Sequence, residues 1–507
     1  MRYFSSFRDE RLPATGQLKC SIGAFASLDA RQDVVPKSLS LCSYGYNIRF
    51  TGGILRNSYG VKLASWTAGD DTAITLPTLQ YEGENLKRLH VIRRTTQSGE
   101  EAEELLAYSA EGKFYVCPLT ETSSAFTYFP GITDVTEDIT FINYFTGGAD
   151  TALIYTENGA YKYDGNFVKV DGAPGLVGAC MHYDRVFGIK PGARDTIAFS
   201  ALLDPFEFSV ESGGGEISLM DEGGKILKLI SIRNSVYIFR EYAVYRMTAY
   251  VDPTEYTISR VFSSDKPIRQ GSVASDGDRV FFVSGEDIFV LTSSGADRSY
   301  EEISPLISDA SHAVGHIFDG TYYLAACIAK EGDESVGDES VAGAITKNNA
   351  LFGFGFARGT LDIVRGTDIR WFAGVVNDDI SALLVVFGGT RSAFPGMLTD
   401  DGKLFGLPLK KLWRSHFVRL GDPEALKTVR RIYLDTVSDV NITLESETGD
   451  KLGYIAGGSK MAVAIPSFVI GDRLKMSLES VFPDFRIGEA VVYINQYGRY
   501  LGDAGNT

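Results

Sequence analysis

The sequence predicts an all-β protein: a β-propeller of six or seven blades, with an N-terminal arm and an appended C-terminal antiparallel β domain. Three observations carry this. First, a hairpin recurs without insertion at LLAYSAEGKFYV from Leu105, ALIYTENGAYKY from Ala152, VYIFREYAVYRM from Val236 and VFFVSGEDIFVL from Val280. Each runs from four strand-like residues through a polar turn into an alternating strand, so Tyr108, Tyr155, Phe239 and Val283 share one column. Phe114, Tyr161, Tyr245 and Phe289 share a second. Second, the starts lie 47, 84 and 44 residues apart, and RVFGIK from Arg185 stands where the double interval needs a degenerate copy. A period near 40 to 50 residues with short strands is the signature of propeller blades. Third, aromatics reach 12% and glycines number 54, a composition of strands and turns.

Taken in order, residues 1–75 form an arm with two strands joined at Thr51-Gly52-Gly53, and such an arm is expected to reach beyond its own domain. Residues 76–408 form the propeller, with further blade-like pairs at His316–Ala329, Ala350–Val364 and Ile380–Gly388. Gly112 and Gly159 take the same slot in their hairpins, where a tight turn favours positive φ. A tandem Gly-Asp-Glu-Ser-Val at Gly332–Val336 and Gly337–Val341 reads as an exposed loop. Residues 409–507, strands divided by Gly, Asp and Asn turns, read as a separate sandwich or barrel. The best helix candidates are short, around Pro423–Thr428 and Glu101–Leu106.

The composition excludes several function classes. With 65 acidic against 49 basic residues the net charge is −16, so the average surface repels nucleic acid. The basic pairs Lys87–Arg88, Arg93–Arg94, Lys410–Lys411 and Arg430–Arg431 read as solvated strand faces. Five dispersed cysteines with no C-x-x-C fit neither a disulfide framework nor a zinc site, and suit a reducing cytoplasm. The N-terminus carries charges where a signal peptide needs an apolar stretch, and no apolar run of membrane-spanning length occurs.

Candidates for chemistry are few. His312 and His316 have i, i+4 spacing, but the segment continues into a strand, where both lie on one face of a blade edge too far apart for a metal pair. A propeller glycan hydrolase needs two facing carboxylates, which 65 acidic residues could supply, yet the sialidase S-x-D-x-G-x-x-W boxes are missing and only three Trp are present. Ser212–Ile226 is glycine-rich but leads into a strand, so it lacks the helix N-terminus that binds phosphate. Nucleophile-elbow, P-loop, dinucleotide and WD-repeat signatures are also missing, and Asn441-Ile442-Thr443 reads as a turn rather than a glycosylation site. No cofactor or metal is expected.

Several segments together resemble the β-propeller tail hub or nozzle proteins of tailed bacteriophages, also called packaged-DNA stabilisation proteins. They are Asp204-Pro205-Phe206-Glu207-Phe208, the strand Ile217-Ser218-Leu219, the acidic turn after it, the strand pair Val236–Arg246 and the blade GSVASDGDRVFFVSGEDIFVL; SYGYNIRFTGGILRNSYGV resembles an N-terminal segment of phage virion proteins. The resemblance implies a non-enzymatic structural virion protein, assembled in the host cytoplasm as a homo-oligomeric ring, hexameric in that family. The ring would sit below the portal and adaptor in the tail, retaining double-stranded DNA and channelling it during ejection. An acidic wall facing the ring axis suits that role, with Asp221, Glu222, Glu286 and Asp287 as channel-lining candidates. Assembly contacts are expected from residues 1–40 and from Trp413, His416, Arg430 and Arg431. The alternatives are a propeller glycan hydrolase or glycan-binding tail protein, and a bacterial cytoplasmic propeller scaffold.

Overall fold

The computed structural model describes residues 14–21, 25, 27–31, 38–67, 73–75, 85–96, 98–119, 126–130, 132, 135, 139–146, 149–250, 252–328, 348–356, 360–376, 380–388, 393–421, 426–449, 451–456, 461–469 and 473–497. These form two compact units, one of residues 62–352 and 366–398, the other of residues 1–61, 353–365 and 399–507. The tandem Gly-Asp-Glu-Ser-Val lies outside the described residues.

The first unit is a seven-bladed β-propeller. Blade one runs outward through Leu86–Thr95, Glu101–Ser109, Phe114–Pro118 and Thr127–Phe129. Blades two, three, four and five repeat this four-strand order, with inner strands Thr140–Thr146, Ala179–His182, Ile226–Ile232 and Ala274–Ser275. Blade six starts at Ile307–Phe318 and blade seven at Ile369–Val376. Blade seven takes the strand Gly60–Leu63 beside Ala393–Thr399 as its fourth, so the start and the end of the propeller segment meet in one sheet. Such closure removes exposed edges from the ring.

Why this sequence folds so is visible in how alternation fills both faces of each blade. In blade one Leu106 and Tyr108 pack toward Ile154 and Tyr161 of blade two, while Leu105 and Ala107 pack toward Leu384 and Val386 of blade seven. Tyr155 lies in the layer between blades two and three, and Phe239 in that between blades four and five. Phe281 of blade five stacks on Tyr322 of blade six at 4.8 Å, which sends its i+2 neighbour Val283 to the same side. All four residues of the first hairpin column are therefore fully buried and face the following blade.

The second column is less uniform. Tyr161, Tyr245 and Phe289 stand across from the residue before the first column, namely Ile154, Ile238 and Phe282. Phe114 instead stands across from Tyr108 itself, because blade one turns through Ser109–Lys113 rather than through two residues. That one-residue slip puts Phe114 on the opposite face from the other three. Gly112 and Gly159 have φ of +80° and +131°, as the turns require. The helix candidates correct to strands: Glu101–Ser109 is the second strand of blade one, and Leu426–Thr436 is a strand whose preceding residues 422–425 fall outside the description.

The second unit corrects the expected boundaries. Rather than an arm and a separate C-terminal domain, its two antiparallel sheets interleave both ends of the chain. Ala14–Ser21 and Ile54–Asn57 each pair with Arg486–Tyr497, and Cys42–Tyr46 pairs with Lys411–Ser415. Between them, Ile48–Thr51 pairs with Leu361–Arg365, a segment excised from the propeller sequence. Pairings across more than 300 residues leave no local signal, which is why the sequence suggested two pieces. Among the described residues no helix is long and apolar enough to cross a membrane.

Candidate functional site

The inner strands of the propeller and the residues leading into them surround an axial cavity of about 510 Å³. Blade one contributes Asn85, Lys87, Arg88 and His90; blade four contributes Lys228, and blade seven Arg370 and Trp371. Blade six adds His312, exposed at the mouth, and Asn348 from the connection between its strands. No Asp or Glu lines the cavity among the described residues. A smaller cavity of about 270 Å³ continues past Lys228, Val314 and Trp371 to His316 and Phe372.

Local contacts hold these side chains in place. The Arg88 guanidinium lies 4.0 Å from the centre of the Trp371 ring, and the Trp371 indole N–H donates to the Leu89 carbonyl at 3.0 Å. Lys228 Nζ donates to the Val273 carbonyl at 2.7 Å. Arg370 donates to Asp368 at 2.7 and 3.1 Å. His90 packs on the Phe141 ring at 4.2 Å and its Nε2 has no hydrogen-bond partner. Burial, reinforced by Arg88, His316 and Lys228, pushes the His90 pKa down to about 3; burial and then Lys228 push His316 down to about 4. Both imidazoles are neutral at pH 7. Asn348 is 1% exposed and donates through Nδ2 to the carbonyls of His312 and Ile369 at 3.0 and 2.7 Å, while its Oδ1 has no partner. The arrangement is a cationic, partly aromatic cup suited to anions.

The residues expected to line the channel of an assembled ring are a separate set from those at the propeller's own axis. None of Asp221, Glu222, Glu286 and Asp287 lines the axial cavity. Asp221 accepts from Arg240 and from the Tyr245 hydroxyl, and the Tyr245 bond leads in holding its carboxyl below the usual range. Lys266 pairs with Glu286 at 3.3 Å, and Arg298 with Asp287 at 2.5 Å, so with Asp221 three of these acidic groups are neutralised locally. Glu222 is exposed.

In the second unit Trp413 corrects outright: it is fully buried, edge-on to Phe25 at 5.2 Å, and offers nothing to a partner. His416 is half-buried with Nε2 2.6 Å from the Asp29 carbonyl oxygen. Arg430 and Arg431 are both exposed, because a register shift between Val429 and Arg431 breaks the alternation there, and Arg431 lies over Tyr493.

What the sequence reading missed is the cationic cup itself. Lys87 and Arg88 line a cavity rather than a solvated face, and Lys411 is fully buried, with Nζ donating to the Phe482 carbonyl at 2.6 Å. His312 and His316 share the axial side of an inner strand, not a blade edge, and among the described residues no group of three His, Cys, Asp or Glu is placed to hold a metal. A signal was nevertheless present. Arg88, Thr140 and Lys228 stand directly across from Tyr108, Tyr155 and Phe239, so the first hairpin column marks cavity-lining positions on the neighbouring inner strand.

No protein-family model and no curated protein matches the chain. Among solved structures it is similar to the extracellular domain of a one-component system from B. thetaiotaomicron, with 9% identity over 90% of this chain and a TM-score of 0.42; the chain spans 62% of that structure's length. It is also similar to the Neurospora crassa Pan2 WD40 domain, with 7% identity, 63% of this chain, 97% of that one and a TM-score of 0.36. Kluyveromyces lactis Hsv2 matches with 9% identity over 76% of this chain and 100% of that one, at a TM-score of 0.33.

Proposed function

We propose that this chain is a non-enzymatic structural subunit of a bacteriophage tail, a hub or nozzle protein that assembles as a homo-oligomeric ring and channels double-stranded DNA. The observation that carries the reading is that the segments between Asp204 and Leu291 that bear the resemblance occupy blades three, four and five in succession. Asp204–Phe208 lies between the last two strands of blade three, where Pro205 accepts from the Tyr155 hydroxyl of blade two at 2.6 Å. Ile217-Ser218-Leu219 begins in the outermost strand of blade three, Val236–Arg246 is the central hairpin of blade four, and Val280–Leu291 that of blade five. The net charge of −16 supports the same reading, since a conduit must not grip its cargo. The exposed Arg430 and Arg431 are then candidate ring contacts, and the portal and adaptor the expected neighbours.

The test is assembly. Electron microscopy of the purified full chain, alone and with any portal and adaptor found encoded beside it, should show closed rings. A monomer at all concentrations, together with a gene setting of sugar uptake and measurable glycan hydrolysis, would replace this reading with the hydrolase.

A further inference from the structure

We propose that the axial cavity of the propeller is a binding site for a small multivalent oxyanion that carries a hydroxyl group. Three observations converge on it. The cavity, at about 510 Å³, lies in the usual range of small-molecule sites, roughly 300–1,000 Å³, and all its lining residues belong to the propeller unit. Lys87, Arg88 and Lys228 converge on it from two blades, joined from a third by Arg370, which is paired with Asp368, and no acidic residue stands among its described lining. Positive charge concentrated on one concave wall favours an anion over a neutral or cationic ligand.

The third observation concerns polar atoms. The amide of Asn348 is fixed in orientation, because both carbonyl contacts are made by Nδ2; its buried Oδ1 therefore accepts only from a donor such as a ligand hydroxyl. His90 Nε2, buried and without a partner, is a second fixed polar group in the same wall. The groups facing His90 are Arg88 on its own strand, Lys228 of blade four, His316 of blade six, and the rings of Phe141 and Trp371. The charged ones among them, Arg88 and Lys228, are both cationic, so an anion entering there favours the protonated imidazole.

The test is calorimetric titration of the full chain with citrate, with tricarballylate, which is citrate without its hydroxyl, with glucose 6-phosphate and with inorganic phosphate. Saturable one-site binding at about millimolar dissociation constants or tighter is expected for citrate or glucose 6-phosphate, and which of the two binds assigns the anion as carboxylate or phosphate. Lys228→Gln and, independently, Lys87→Gln should each weaken that binding about tenfold or more. Removing the hydroxyl, by tricarballylate for citrate, should also weaken it, and inorganic phosphate, which lacks the whole sugar, should bind more weakly than glucose 6-phosphate. Ring-labelled histidine NMR should show the His90 and His316 pKa values rise on saturation, a response that binding elsewhere on the surface would not produce. No saturable binding by any probe, or equal affinity in the wild type and whichever lysine variants remain folded, overturns the site. Equal affinity with and without the hydroxyl overturns its assigned chemistry.

Discussion

At the scale of residues, the propeller's energetics concentrate in the layers between blades. Phe239 is fully buried and meets Phe282 of the next blade edge-on at 5.4 Å. Phe239→Ala should cost about 3–5 kcal/mol in denaturant unfolding, the range for emptying a buried phenylalanine site. Gly159→Val should cost about 1–3 kcal/mol, since φ of +131° lies where side chains are strained. The buried histidines make stability depend on pH. Their folded pKa values, about 3 for His90 and about 4 for His316, lie below the ordinary 6.5, so the unfolded chain binds more protons. Their contribution is fully present above pH 6.5 and is lost as pH falls from 6.5 toward 4 and 3. Thermal melts should therefore drop across that window, and His90→Phe with His316→Phe should flatten the drop.

At the scale of elements, the described part of residues 1–40 is structural. Ala14–Ser21 is hydrogen-bonded along Arg486–Tyr497, and Phe25 and Leu28 are fully buried. Deleting residues 1–40 should therefore unfold or loosen the second unit, exposing Trp413 to quenching, while propeller strands stay protected in hydrogen exchange. The opposite pattern, a second unit unchanged by the deletion, would show that this segment is an ornament. The same element logic explains why strand type was legible but pairing was not. Alternation marks a strand wherever one face is buried, as in Val440–Ser446, yet it says nothing about which distant strand lies beside it.

At the scale of the whole chain, the surplus of acidic residues and the cationic axial cup are separate facts with separate consequences. The net charge governs long-range encounters, so the purified protein should show negligible binding to duplex DNA at physiological salt in fluorescence anisotropy. Tight, salt-sensitive duplex binding would contradict the proposed conduit. The cup is instead a short-range feature of about 510 Å³, and its occupancy is set by local geometry rather than by the total.

The sequence alone determined the all-β class, the hairpin repeat, the equivalence of Tyr108, Tyr155, Phe239 and Val283, and the turn glycines, because each of these follows from local alternation and backbone sterics. Only the tertiary structure decided the blade count of seven, the weaving of both chain ends into one unit, and the burial of Trp413. It alone also gathered Lys87, Arg88, Lys228 and Arg370 around the propeller axis. These depend on contacts between residues hundreds apart in the chain, for which a lone basic pair such as Lys87–Arg88 carries no sign until the strands have closed into a ring.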